Sequence, residues 1–245
     1  MNKLISGIYA ATISVFNDDL SLNIEKTIKH SEKIIDEGCH GVVMFGSTGQ
    51  AQYISVSEKI SLINQLSKSK YSDKFIIGTG LNSLIEIINF MKTSCSLNFN
   101  KFLIMPPAFY SYDELGVKKF YKKIIESVPT SKIILYNFEA LCGFKFNENL
   151  VKELKKEFPD QIVGIKDTTG NLFKKIKIDN FSYFSGTELN LLEGLKFGYA
   201  GIITANANVS APLSRKVYED FLSKKEQTVN EKLHNIRKLF DKYNT

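Results

Sequence analysis

Short apolar runs alternate with amphipathic stretches along nearly the whole chain. Runs rich in β-branched and aromatic residues at 8–16, 41–45, 75–78, 102–105, 133–137, 162–166, 183–185 and 201–204 predict eight strands. Between them, apolar positions recur at helical spacing over 24–35, 56–66, 84–91, 114–128, 148–158, 189–197 and 213–222. In the first of these, Ile24, Ile28, Ile34 and Ile35 form the apolar stripe. The segment between the sixth and seventh strands, 172–178, is short and rich in lysine, and it predicts only a weak helix. A last helical stretch, 226–243, follows the eighth unit.

Strands that are nearly unbroken apolar runs are buried on both faces, as in a parallel sheet covered by helices. Eight such units, rather than five or six, predict closure into an α/β (β/α)8 TIM barrel, with an open doubly wound sheet as the alternative. A chain of 245 residues suits one barrel, and no linker, repeat or low-complexity tract divides it.

Composition narrows the partners. With 43% hydrophobic and 24% charged residues, the chain reads as a soluble globular protein. The formal charge of +6 sits largely on helix faces, where Lys118, Lys119, Lys122 and Lys123 are interleaved with acidic residues. That is a solvated surface, so nucleic acid is not an expected partner, and an anionic substrate is the inference that remains. The apolar runs are too short to span a bilayer. The first residues lack the succession of an export signal, and Cys39, Cys95 and Cys142 do not stand at ligand spacing from a second Cys or a His. A cytoplasmic location with reduced thiols is therefore expected. His30, His40 and His234 stand apart in sequence, and neither a metal nor a cofactor is expected.

In such barrels the chemistry sits at the C-terminal ends of the strands. Lys166 closes the apolar run Ile162-Val163-Gly164-Ile165, where an unpaired ammonium is costly. A desolvated lysine amine attacks carbonyls; the structural alternative is an ion pair between Lys166 and Asp167. Tyr136, at the end of the fifth strand, carries a phenol that both donates and accepts, or else packs the rim. Ser47-Thr48, between Gly46 and Gly49, offers hydroxyls and backbone N–H groups that would cradle a carboxylate, or forms a plain turn.

Taken together, Gly46-Ser47-Thr48-Gly49, Tyr136-Asn137, Gly164-Ile165-Lys166-Asp167-Thr168 and Ser185-Gly186-Thr187-Glu188 resemble the family of dihydrodipicolinate synthase, N-acetylneuraminate lyase and 2-keto-3-deoxygluconate aldolase. The resemblance runs from Gly7 to about Leu222. It implies a class I lyase in which Lys166 forms a Schiff base with pyruvate, the partner being an aldehyde. It also implies proton transfer by Tyr136, a relay through Ser47, a carboxylate held by Thr48, and a pyruvate pocket lined by Ile203. A tyrosine from a neighbouring subunit falls on Phe109, with Tyr110 one residue later as the candidate, so a dimer or tetramer of identical chains is expected. Against the family pattern, 226–245 would be the remnant of a longer C-terminal helical extension following a barrel at 1–225. Gln50 replaces the usual Glu, and Ser14-Val15 the usual Thr-Pro.

Leu141 stands where the synthase branch has an Arg for its second carboxylate, and Ala140-Leu141-Cys142-Gly143 is similar to the lyase branch. Glu188 and Thr168 then suit the hydroxyls of a 2-keto-3-deoxy sugar acid or an N-acetylneuraminate-type substrate. The alternatives are the synthase reaction with aspartate semialdehyde and a barrel that binds a keto acid without turnover.

Overall fold

A computed structural model describes residues 5–243. Its strands are β1 (Gly7–Ala11), β2 (Gly41–Met44), β3 (Phe75–Gly78), β4 (Lys101–Ile104), β5 (Lys132–Asn137), β6 (Ile162–Asp167), β7 (Ser182–Ser185) and β8 (Gly201–Thr204). All pair in parallel, in chain order, and β8 pairs back with β1 to close the barrel. At that seam Gly201 faces Gly7, and a Cβ on Gly201 would lie 2.0 Å from the Gly7 carbonyl oxygen. Only glycine permits so close an approach.

Around the barrel lie α1 (Ile24–Asp36), α2 (Val56–Leu66), α3 (Leu84–Ser96), α4 (Glu114–Ser127), α5 (Glu139–Cys142), α6 (Glu148–Glu157), α7 (Leu191–Phe197), α8 (Ala207–Leu222) and α9 (Asn230–Phe240). Side chains that accept N-terminal N–H groups start several of them: Asn23 for α1, Ser55 for α2, Asp113 for α4 and Asn147 for α6. Each such cap contributes about 1 kcal/mol.

Strand alternation divides the core in two. Val43, Ile76, Leu103, Ile134 and Ile203 fill the barrel interior, while Val42, Ile77, Phe102, Leu135 and Ile165 meet the helices outside. Among the described residues, Tyr136 enters this interior layer near the C-terminal end of β5.

The barrel matches the expected fold, with local differences. β1 stops at Ala11 rather than running to residue 16: Thr12 N still donates to Val43 O, but Val15 N turns to the Thr27 hydroxyl. α3 continues to Ser96 through a polar tail in which the Ser94 hydroxyl bonds back to Phe90 O. α8 begins six residues before the expected start and carries Pro212 inside it. The weak helix at 172–178 does not form. Turns run to 175 and 176–178 is irregular, with Leu172 and Ile176 buried. α9 is shorter than the stretch predicted for it. No helix among the described residues is long and apolar enough to cross a membrane.

Candidate active site

The ladder between β5 and β6 pairs Tyr136 with Lys166 and Asn137 with Asp167. Because successive side chains face opposite sides of a strand, the first pair points into the barrel and the second away from it. Lys166 and Tyr136 are each only 5% exposed. Lys166 Nζ donates to Tyr136 OH at 3.2 Å and lies 4.3 Å from the centre of that ring. On the other side of the phenol, Ser47 Oγ is 3.2 Å from the same oxygen. An amine, a phenol and a hydroxyl thus stand in a row at the mouth of the barrel, linked so that a proton can pass along them.

Ser47 reaches this row from the turn after β2, which closes through Gln50 N donating to Ser47 O at 3.0 Å. Gly49 lets the turn pack against the exit of β1, where a Cβ would come within 2.8 Å of Thr12 O. Thr48 follows Ser47 in the same turn and is half-buried. Ile203 is fully buried in the interior layer that also contains Tyr136.

The outward pair was legible only as a neighbour of Lys166. No ion pair joins Lys166 to Asp167, because strand alternation turns the two side chains apart. Asp167 Oδ1 accepts from Asn137 Nδ2 at 2.7 Å and Gly170 N at 2.8 Å. Its Oδ2 accepts from Leu172 N at 3.0 Å and from the Tyr183 hydroxyl. This network folds the loop after β6 back onto its own strand. It also ties β5 to β6 directly behind the Tyr136–Lys166 pair. Burial, reinforced by the Asp167 carboxylate, pushes the Tyr183 phenol far above its ordinary range, so it is a permanent donor.

A cavity of about 260 Å³ opens beside Tyr136 and Ser47. Phe45, Leu81, Leu103, Met105, Ala108 and Leu141 are among its walls. Its shape is held by bonds between loops: Gln52 Nε2 donates to Gly80 O, and Ala108 N donates to Asn82 Oδ1. Behind the wall, Lys59 of α2 is wholly buried and donates to Thr79 O at 3.1 Å and Gly80 O at 3.3 Å. Burial lowers the Lys59 ammonium to about 8. Nothing in the sequence marks this residue, since it reads as one more helix-surface lysine.

Three other sequence candidates are not drawn into the row. The Thr168 hydroxyl is buried without a hydrogen bond against Gly186, where a Cβ would strike it at 2.4 Å. Glu188 lies in the short turn Glu188–Asn190 after β7 and is wholly buried. One of its oxygens accepts from the Thr204 hydroxyl, and the other is 3.7 Å from Arg237 of α9. Burial pushes this carboxyl up, while the Thr204 bond and Arg237 pull it down. Tyr110 stands in the loop after β4, 68% exposed and edge-on to Phe109, with no hydrogen bond to Tyr136 or Lys166. Among the described residues no three His, Cys, Asp or Glu side chains cluster as metal ligands would.

Comparison with known proteins gives this row its context. The pattern of the Dihydrodipicolinate synthetase family matches residues 4–245. The chain belongs to that family. Members of the dihydrodipicolinate synthetase family are class I pyruvate-dependent lyases and aldolases, and the chain is accordingly a carbon–carbon lyase. It is 27% identical to the 4-hydroxy-tetrahydrodipicolinate synthase of Archaeoglobus fulgidus, across 97% of this chain and 82% of that one. It is 26% identical to an uncharacterized DapA-like lyase of Chloroflexus aurantiacus, across 88% of this chain and 74% of the other. In fold it is similar to the 2-keto 3-deoxygluconate aldolase of Picrophilus torridus, with a TM-score of 0.88 at 22% identity over 98% of this chain and 88% of that one.

Proposed function

We propose that Lys166 is the Schiff-base lysine of this lyase, and that the reaction joins or cleaves pyruvate and an uncharged aldehyde. The observation that carries this reading is the Lys166–Tyr136–Ser47 row, 3.2 Å at each step and placed where a barrel keeps its chemistry. Lys166 Nζ attacks C2 of pyruvate and water leaves, giving an imine that draws electrons from C3. Tyr136 takes the C3 proton and returns it to the aldehyde oxygen as the new bond forms, with Ser47 holding the phenol in place. Thr48 and the amides of its turn hold the pyruvate carboxylate, and Ile203 packs against the bound keto acid.

The uncharged aldehyde follows from the cavity. Leu141 is among its lining residues, and among the described ones none is charged. A second carboxylate calls for a donor such as a bidentate Arg, so aspartate semialdehyde is disfavoured. The expectation of a polyol partner loses one acceptor, since Glu188 is already engaged by Thr204 and Arg237. Phe109 and Tyr110, 88% and 68% exposed beside the mouth, support assembly into a homo-oligomer in which this loop meets a neighbouring site.

The test is a panel of 4-hydroxy-2-keto acids with pyruvate release as the readout. Wild type releases pyruvate and Lys166→Ala does not. Condensation of pyruvate with aspartate semialdehyde, beside no release from any keto acid built on an uncharged aldehyde, would overturn the choice of partner.

A further inference from the structure

Ser47 and Thr48 are carried by a segment whose backbone is held in an unfavourable form at both ends. Phe45, at the exit of β2, has φ +53°, and Gln50, after the turn, has φ +53° as well. The left-handed region is costly for a residue with a Cβ, above all a bulky aromatic one, and persists only where the surroundings enforce it. Here the surroundings are the loop after β3. A Cβ on Gly78 would lie 2.7 Å from the Met44 and Phe45 carbonyl oxygens, and one on Gly80 would lie 2.2 Å from the Ala51 Cβ. The loop thus packs closely on either end of the segment. Gln52 Nε2 adds a bond to Gly80 O at 3.1 Å. Lys59 grips the same loop from behind. It donates to Thr79 O at 3.1 Å and to Gly80 O at 3.3 Å, and its Nζ lies 5.9 Å from the centre of the Phe45 ring. The start of its helix is itself anchored, since Glu58 closes the capping box with Ser55 and accepts from Leu22 N at 2.8 Å.

From this we propose that Lys59 is a positioning residue: it holds the loop after β3 against the 45–51 segment and so keeps Ser47 Oγ within reach of the Tyr136 phenol. The proposal rests on the Schiff-base reading and adds to it the residue that sets the outer member of the row. Burying an ammonium is costly, and the return here is two carbonyls of one loop. An apolar side chain of similar length would fill the same space without that cost, so packing alone does not account for the amine. Lys166 and Tyr136 are set by β5 and β6, and imine formation is therefore independent of Lys59. Ser47 is set by the segment, and proton movement through Tyr136 therefore depends on it.

The experiment follows exchange of the C3 protons of pyruvate in heavy water by NMR, at saturating pyruvate. The imine on Lys166 loses a C3 proton to Tyr136 and regains a deuteron from the same oxygen. Water then releases labelled pyruvate and the free amine, so no aldehyde is needed. Borohydride trapping of pyruvate on Lys166 runs in parallel. Lys59→Met, which removes the donors, is expected to be trapped as wild type is and to exchange roughly ten- to a hundredfold more slowly. Ser47→Ala is expected to slow exchange by a similar factor, and the double variant no further, because both changes remove one interaction. A side chain that served stability alone would leave exchange in the folded variant unchanged, or its effect would multiply with that of Ser47→Ala. If Lys59→Met does not fold, Lys59→Gln, with two N–H donors on a shorter arm, goes through the same cycle. If neither folds, Lys59 is structural and the proposal fails. Exchange at the wild-type rate in the Lys59 variant, multiplied losses, or loss of its trapping overturns the proposal and leaves the Schiff base standing. So does unchanged exchange in Ser47→Ala, or trapping without exchange in wild type. No trapping in wild type overturns the Schiff-base reading, and the proposal with it.

Discussion

Two acidic side chains are buried at the rim of this barrel, and their surroundings differ. Behind the β5–β6 mouth, both oxygens of Asp167 are filled by donors from Asn137, Gly170, Leu172 and Tyr183, with no cation needed. At the β7–β8 mouth, Glu188 receives one hydroxyl and a guanidinium 3.7 Å away, and its Oε2 has no hydrogen bond. The first arrangement is saturated and locks the register of the two strands whose inward residues are Tyr136 and Lys166. The second is a partly compensated burial at which Arg237 of α9 meets the rim. The proposed catalytic pair stands where the polar network is complete.

The comparison is broken most severely by removing the inward residue itself. Lys166→Arg is expected to abolish turnover while the unfolding curve stays near wild type, since guanidinium keeps its proton and cannot form an imine. Retained turnover would move the chemistry to another residue. Tyr136→Phe should lower kcat by roughly 10²–10⁴, the worth of a positioned acid–base group, with pyruvate still bound. An unchanged kcat would reduce Tyr136 to packing.

The two carboxylates then respond in opposite directions. Asp167→Asn sets an amide nitrogen against donors and should cost roughly 3 kcal/mol in urea unfolding at neutral pH. Glu188→Gln keeps an acceptor for Thr204, removes a poorly compensated charge and should add roughly 1 kcal/mol. The pH dependence carries the same contrast. The folded state holds the Glu188 proton more tightly than the unfolded chain, because burial raises this carboxyl. Its contribution is therefore full below the ordinary glutamate value, and it is lost as pH rises through the raised one. Glu188→Gln should flatten that part of the stability profile. Equal and same-signed effects of the two substitutions would erase the distinction between the mouths.

The barrel was legible because strands buried on both faces leave unbroken apolar runs, and eight of them survive in the sequence. Lys166, Tyr136 and Ser47 were legible for a related reason: each is a polar residue at the end or just past the end of such a run. The Asp167 network was not, although alternation places Asp167 and Asn137 on the opposite face from their neighbours. Its other partners, Gly170, Leu172 and Tyr183, come from a loop and a strand whose approach no local pattern records. Glu188 reads from the sequence as a substrate acceptor, and its contact with Arg237, far along the chain, forms only in three dimensions. The missing helix at 172–178 was foreshadowed by its lysines, whereas the polar tail of α3 concealed the last part, 92–96, of a helix expected to end at 91.

Incubation of the chain with pyruvate and borohydride, followed by peptide mapping, addresses the role of Lys166 directly. One reduced pyruvate adduct per chain is expected, on Lys166, and none in Lys166→Arg. No adduct, or the same labelling in Lys166→Arg as in wild type, would contradict the account.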